Sequence, residues 1–79
     1  MMDSKQLALV YLTEEANKLA IICTKNVHSP QKYKTHNEIA EQMGKVFCAM
    51  REVVEELKMS EEQVEKYVFK EHERRLKDK

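Results

Sequence analysis

The fold is decided by His36-Asn37-Glu38-Ile39-Ala40-Glu41-Gln42-Met43-Gly44-Lys45-Val46-Phe47-Cys48-Ala49-Met50-Arg51-Glu52-Val53-Val54-Glu55-Glu56-Leu57. Within it, Ile39, Met43, Val46, Met50, Val53 and Leu57 recur in steps of three and four, which places them on one face of a helix. A second stripe, Ala40, Phe47 and Val54, runs beside it in steps of seven. An apolar face this broad predicts a helix covered from two directions, central to a bundle or a dimer. Thr35-His36-Asn37-Glu38 reads as the capping box that starts it.

Upstream, Asp3-Ser4-Lys5-Gln6 carries an N-cap with Gln three residues on, and Leu9, Leu12, Ala16, Leu19 and Cys23 follow at helical spacing. A helix is predicted from about Ser4 to Lys25. Ser29-Pro30 interrupts the pattern, because Pro lacks a backbone donor and pushes the residue before it out of the helical region, so 26–34 reads as a loop. Downstream, Ser60-Glu61-Glu62-Gln63 opens a third helix carrying Val64, Tyr67, Val68 and Leu76 and ending in a charged tail. The reading is all-α: one domain over 1–79, helices at about 4–25, 36–58 and 61–77, and a three-helix protomer with a short linker after the first helix, packed into a helical-bundle oligomer.

Size and charge limit what such a chain can do. With 79 residues it buries too little surface for a generous stability margin without metal, disulfides or self-association. A homo-oligomer, dimer or tetramer, is therefore expected. Fourteen basic and fourteen acidic side chains balance, so no global field draws the protein to duplex nucleic acid or to an anionic membrane. The N-terminus Met1-Met2-Asp3-Ser4 lacks the basic start and apolar run of a signal peptide, no apolar run spans a membrane, and Cys23 and Cys48 sit in apolar stretches. The expected setting is the reducing cytoplasm.

Chemistry concentrates on the first two helices. Residues three apart on a helix share a face, so Glu-x-x-Glu on one helix opposite Glu-x-x-Asp on another can set four carboxylates around magnesium. Leu12-Thr13-Glu14-Glu15-Ala16-Asn17-Lys18-Leu19 resembles the Glu-Glu-x-x-Glu helix of the MazG-like nucleotide pyrophosphohydrolases. Glu41-Gln42-Met43-Gly44-Lys45-Val46 resembles their Glu-Glu-x-Gly-Asp-Val helix. The later segments Leu57-Lys58-Met59-Ser60-Glu61-Glu62-Gln63-Val64 and Lys70 with Glu73-Arg74-Arg75-Leu76 are similar to that family's ending, so the resemblance covers most of the chain. It implies a helical oligomer with nucleotide bound between subunits.

The same resemblance places Glu15, Lys18, Gln42 and Lys45 at the four metal positions, so one carboxylate of four remains. A site of formal charge near minus four becomes about plus one, which repels magnesium and attracts phosphate. Hydrolysis that relies on metal to activate water should be lost while nucleotide binding persists, with no cofactor and no catalytic residue. An alternative register, Glu38-Ile39-Ala40-Glu41 meeting Glu14 and Glu15, would restore a magnesium site one turn away and with it pyrophosphohydrolase activity. Taken alone, Glu15 with Lys18 and Glu41 with Lys45 are ordinary helix pairs worth about 0.2–0.5 kcal/mol each.

Two outlying residues complete the candidate ligand set. Arg74, near Lys70 and Arg75, could hold phosphate, and Tyr33 between Lys32 and Lys34 could stack a base. The bland alternatives are a solvated helix end and a loop tyrosine packed on the bundle. His28, His36, Cys23 and Cys48 lack metal-ligand spacing, so the cysteines and Met43 and Met50 read as core. The leading expectation is a non-hydrolytic nucleotide binder, such as a virus-like sponge for a phosphorylated signal. The magnesium enzyme and a helical protein-interaction module are the competing readings.

Overall fold

The computed structural model describes residues 1–29 and 36–78. Three helices follow one another: α1 Ser4–His28, α2 His36–Glu56 and α3 Glu61–Lys77, with no strand among the described residues. The call of Thr35 as a helix cap and the loop residue Tyr33 lie outside the described residues. No helix among the described residues is long and apolar enough to cross a membrane.

The helix starts follow from local polar chemistry. Asp3 accepts from the Gln6 backbone N–H at 2.8 Å, while the Asp3 N–H donates to Gln6 Oε1 at 3.0 Å, a complete capping box. Ser60 Oγ accepts from the Gln63 N–H at 3.4 Å and starts α3. α1 runs to His28, three residues past the sequence expectation. Its last turn carries Lys25, whose positive charge suits the negative end of the helix dipole. α2 stops at Glu56 because Lys58 takes a left-handed backbone, φ 54°. The Met59 N–H then reaches the Val54 carbonyl at 2.9 Å and the Lys58 N–H reaches that of Glu55 at 3.2 Å. That pairing is a Schellman cap, with lysine where glycine is the unstrained choice.

α1 and α2 pack antiparallel. The start of α1 at Ser4 and Leu7 shares a cleft with Glu55 and Glu56 at the end of α2, while Glu15 in mid-α1 meets Gln42 near the start of α2. The inward line on α2 is Gln42, Ala49 and Val53, buried, with Ile39 and Val46 half-buried; on α1 it is Ala8 and Glu15, buried, with Leu12, Leu19 and Ile22 half-buried and Tyr11 beside them. Both lines advance by three and four, the seam of a coiled coil.

That seam corrects the expected faces. Leu12, Leu19, Ile39, Val46 and Val53 lie on it, but Leu9, Ala16, Cys23, Met43, Met50, Leu57, Ala40 and Phe47 are exposed. Cys48 is exposed as well, so neither cysteine and neither Met43 nor Met50 is core. The reason is size and pairing. The two most buried apolar residues, Ala49 and Ala8, sit one heptad away from Gln42 and Glu15 respectively, so small side chains and one polar pair let the backbones approach. Bulkier Met43, Phe47 and Met50 are turned to the flank.

α2 is therefore covered on one side only. α3 has no buried residue and packs little on the other two helices. The radius of gyration is 15.1 Å, against about 12 Å for a compact chain of this length. The accessible surface is 6940 Å², against about 5000 Å² for a compact monomer of this mass. A single chain thus leaves roughly 1900 Å² uncovered that a globular fold would bury.

The strained cap yields a prediction. Lys58→Gly should stabilise the fold by about 0.5–1 kcal/mol, since relief of the left-handed Cβ clash exceeds the added unfolded-state entropy. Denaturant melts of the two proteins check it, and a loss of stability would contradict the cap assignment.

Candidate functional site

The seam's one polar layer is built by Glu15 and Gln42, both buried. A carboxylate in an apolar seam is costly unless its oxygens are hydrogen-bonded. Gln42 supplies the donor: its Nε2 reaches Glu15 Oε2 at 2.7 Å and the Glu15 main-chain carbonyl at 3.1 Å. Both targets are acceptors only, so the amide nitrogen, not its oxygen, must face them. A glutamate at position 42 would instead set two carboxylates against each other and need a proton or a cation between them.

Two lysines stand at the edge of this pair. Lys18 Nζ lies 3.4 Å from Glu15 Oε1, three residues on along α1, and Lys45 projects from α2 three residues beyond Gln42. Both ammonium groups stay more than half exposed. Lys45 also pairs with Glu41 at 3.9 Å, a contact between two exposed side chains that is easily exchanged for another anion. The Glu15 carboxyl is held below its ordinary pKa, chiefly by the Gln42 hydrogen bond and against the opposing effect of burial, with Lys18 and then Lys45 adding to it. Glu15 is thus the fixed anion of the seam and the lysines are its open cationic rim.

Tyr11, one turn before Glu15 on the same face, was not singled out from sequence. Its phenol is pushed above its ordinary pKa, first by burial and then by Cys48, Glu15 and Glu52, so it remains a neutral donor beside the carboxylates. The signal that could have found it is its i,i+4 spacing to Glu15.

The four positions that the family resemblance selected, Glu15, Lys18, Gln42 and Lys45, therefore lie around one point of the α1–α2 seam. The alternative magnesium set is not assembled. Glu14, Glu15, Glu38 and Glu41 form no group, and among the described residues no three His, Cys, Asp or Glu side chains are placed to hold a metal ion. The physical reason is register: with Gln42 bonded to Glu15, the seam position on α2 is taken by an amide, and Glu41 turns to Lys45 on its own helix. The groups around Glu15 do not fit magnesium, since they are an amide and two ammonium groups. Arg74 is not joined to this layer. Its Nε donates to Glu71 of α3 and its Nη1 to Asp78, the residue that caps the helix, each at 3.1 Å, and with Arg75 it holds the Glu71 carboxyl down at about 2. Tyr33 lies outside the described residues.

No family model, no curated protein and no solved structure matches the chain.

The hydrogen bond from Gln42 to Glu15 makes one contribution to the pH dependence of stability, beside that of the exposed Glu71. The folded pKa of Glu15 is depressed, so its contribution is present above the unfolded value of about 4.5 and is lost as pH falls through the folded value. Gln42→Ala removes the donor and should cost about 1–3 kcal/mol at neutral pH. Gln42→Glu should reverse the slope, because one of two facing carboxyls then titrates above its ordinary value and stability falls as pH rises from 4 toward about 7. Thermal melts across that range check both variants. A Gln42→Glu protein with the parent's pH profile would contradict the assignment.

Proposed function

We propose that the chain is a catalytically degenerate, MazG-like nucleotide-binding protein, which works as a homo-oligomer and holds a phosphorylated nucleotide without hydrolysing it. What supports the reading is the convergence of Glu15, Lys18, Gln42 and Lys45 on one layer of the seam. These positions are the ones that the family resemblance selects, and the contact between Glu15 and Gln42 joins its two motifs. In that layer Glu15 stays ionised on an internal donor, and the two lysines beside it, more than half exposed, give the layer a formal charge of about plus one.

The chemistry follows from charge. Phosphate oxygens accept from ammonium groups in charge-assisted hydrogen bonds, and Lys18 and Lys45, on neighbouring helices, can grip one phosphate group from two sides. Metal-assisted hydrolysis needs a cation to activate water and to neutralise the leaving group. Gln42, Lys18 and Lys45 remove the carboxylates that would hold one. Binding without turnover suits a protein that sequesters a nucleotide signal, in a virus–host setting for instance, inside the cell.

Two measurements test this. Melting temperature should rise with at least one mono-, di-, tri- or cyclic nucleotide in the presence of chelator, because a ligand that binds only the folded state stabilises it. The double variant Lys18→Ala/Lys45→Ala should lose that rise. No shift with any of these nucleotides would sink the proposal. Separately, the triple change Lys18→Glu, Gln42→Glu and Lys45→Asp should create a site stabilised by magnesium, where the parent is indifferent to it. A triple variant that folds yet shows no magnesium-dependent shift would remove the family alignment as support.

A further inference from the structure

We infer that the nucleotide held at Lys18 and Lys45 carries a base with an exocyclic amino group, read by carboxylates in the cleft between the start of α1 and the end of α2. This rests on the nucleotide reading above and names the ligand class of that same site. The cleft measures about 430 Å³ and is lined by Tyr11, Glu52, Glu55 and Glu56, with Ser4 and Leu7 at its edge. A volume of this order is that of a small-molecule site.

Helix geometry puts the cleft and the lysines on one face of the α1–α2 pair. Tyr11 and Lys18 are seven residues apart on α1, and Glu52 and Lys45 seven apart on α2, so each pair shares a flank of the seam. Tyr11 and Glu52 line one cleft, and Lys18 and Lys45 act on one carboxylate, that of Glu15, so the two flanks edge a single trough. The small side chain of Ala8 at the seam keeps its floor low. Tyr11 stands between the two ends: burial, Cys48, Glu15 and Glu52 act on its phenol in one direction, and Lys18 opposes them. Seven residues of helix span about 10 Å, which is the reach from the phosphate of a nucleotide to the far edge of its base.

Charge fixes which end of the ligand goes where. Three carboxylates repel phosphate, so the anionic group belongs at the lysines and the base in the cleft. An ionised carboxylate is an acceptor only, so the edge of the base that meets it must donate. The amino groups of adenine, cytosine and guanine donate. Hypoxanthine and uracil carry a carbonyl oxygen in place of the amino group of adenine and cytosine, and that oxygen would meet the carboxylate lone pair to lone pair. A structural role for the glutamates would look different. Glu55 and Glu56 line the cleft with the first turn of α1, whose partial positive charge favours carboxylates whatever base is present.

The test is isothermal titration calorimetry on the full chain in chelator, with ligands that differ by one group: adenosine against inosine and cytidine against uridine, each as mono- and triphosphate. The amino member of each pair should bind at least about tenfold tighter than its oxo counterpart. Glu52→Gln/Glu55→Gln changes two exposed side chains, and circular dichroism should show its helices retained. It should bring each pair within about threefold, because an amide both donates and accepts. Lys18→Ala/Lys45→Ala should weaken all the nucleotides alike. Equal affinity within each pair, with binding still lost in the lysine variant, would overturn the inference and leave the nucleotide reading standing. Discrimination unchanged by the glutamine variant would also overturn it, since the base would then be read elsewhere. If none of the nucleotides binds, the nucleotide reading itself falls and the inference with it.

Discussion

One side-chain contact holds the register of this protein: the amide of Gln42 donating to both the carboxylate and the main-chain carbonyl of Glu15. A seam made only of aliphatic side chains tolerates sliding, because one heptad of small and large apolar groups resembles the next. A buried carboxylate does not, since any other register would leave it without its donor. The small residues Ala8 and Ala49, one heptad to the open side, fit this single arrangement. The helix pair is thereby fixed at its polar layer, and the apolar residues around it fill space.

The same contact has a chemical consequence. In a seam of carboxylates the closing group is a cation, and folding, metal affinity and hydrolysis are coupled. Here the closing group is part of the chain. The seam is satisfied internally, and the two lysines beside it are more than half exposed, each in a pair that solvent screens, Lys18 with Glu15 and Lys45 with Glu41. A further division of labour follows along the molecule. α1 and α2 carry the polar layer, while α3, beyond the strained Lys58 cap, runs from an acidic first turn to a basic last turn with Tyr67, Val68, Phe69 and Leu76 exposed.

Much of this was legible in the sequence, for reasons that can be named. The Asp3 and Ser60 caps are local chemistry, so the starts of α1 and α3 were read correctly from three or four residues. Gln42 and Lys45, with Glu15 and Lys18, are what the family resemblance picks out, and helical periodicity alone then guarantees that each pair shares a face. The buried faces were not fully legible. Hydropathy favoured Leu9, Met43, Phe47 and Met50, whereas the seam is set by the smallest residues and by a polar pair, which a hydrophobic pattern discounts. The end of α2 was also hidden, because a left-handed Lys58 carries none of the signal that glycine gives at that position. Tyr11 was overlooked because its importance lies in burial beside Glu52 and Cys48, residues of the opposite helix.

The central claim is that the Gln42 amide, more than the lysines beside it, holds Glu15 ionised in the seam. It is tested most directly by following the Glu15 side-chain carboxyl through a carbon-detected NMR pH titration in the presence of chelator. The account predicts a midpoint below the ordinary value of 4.5 in the parent and a clear upward displacement when Gln42 is replaced by alanine. A midpoint at or above the ordinary value in the parent, or one unmoved by loss of Gln42, would contradict it.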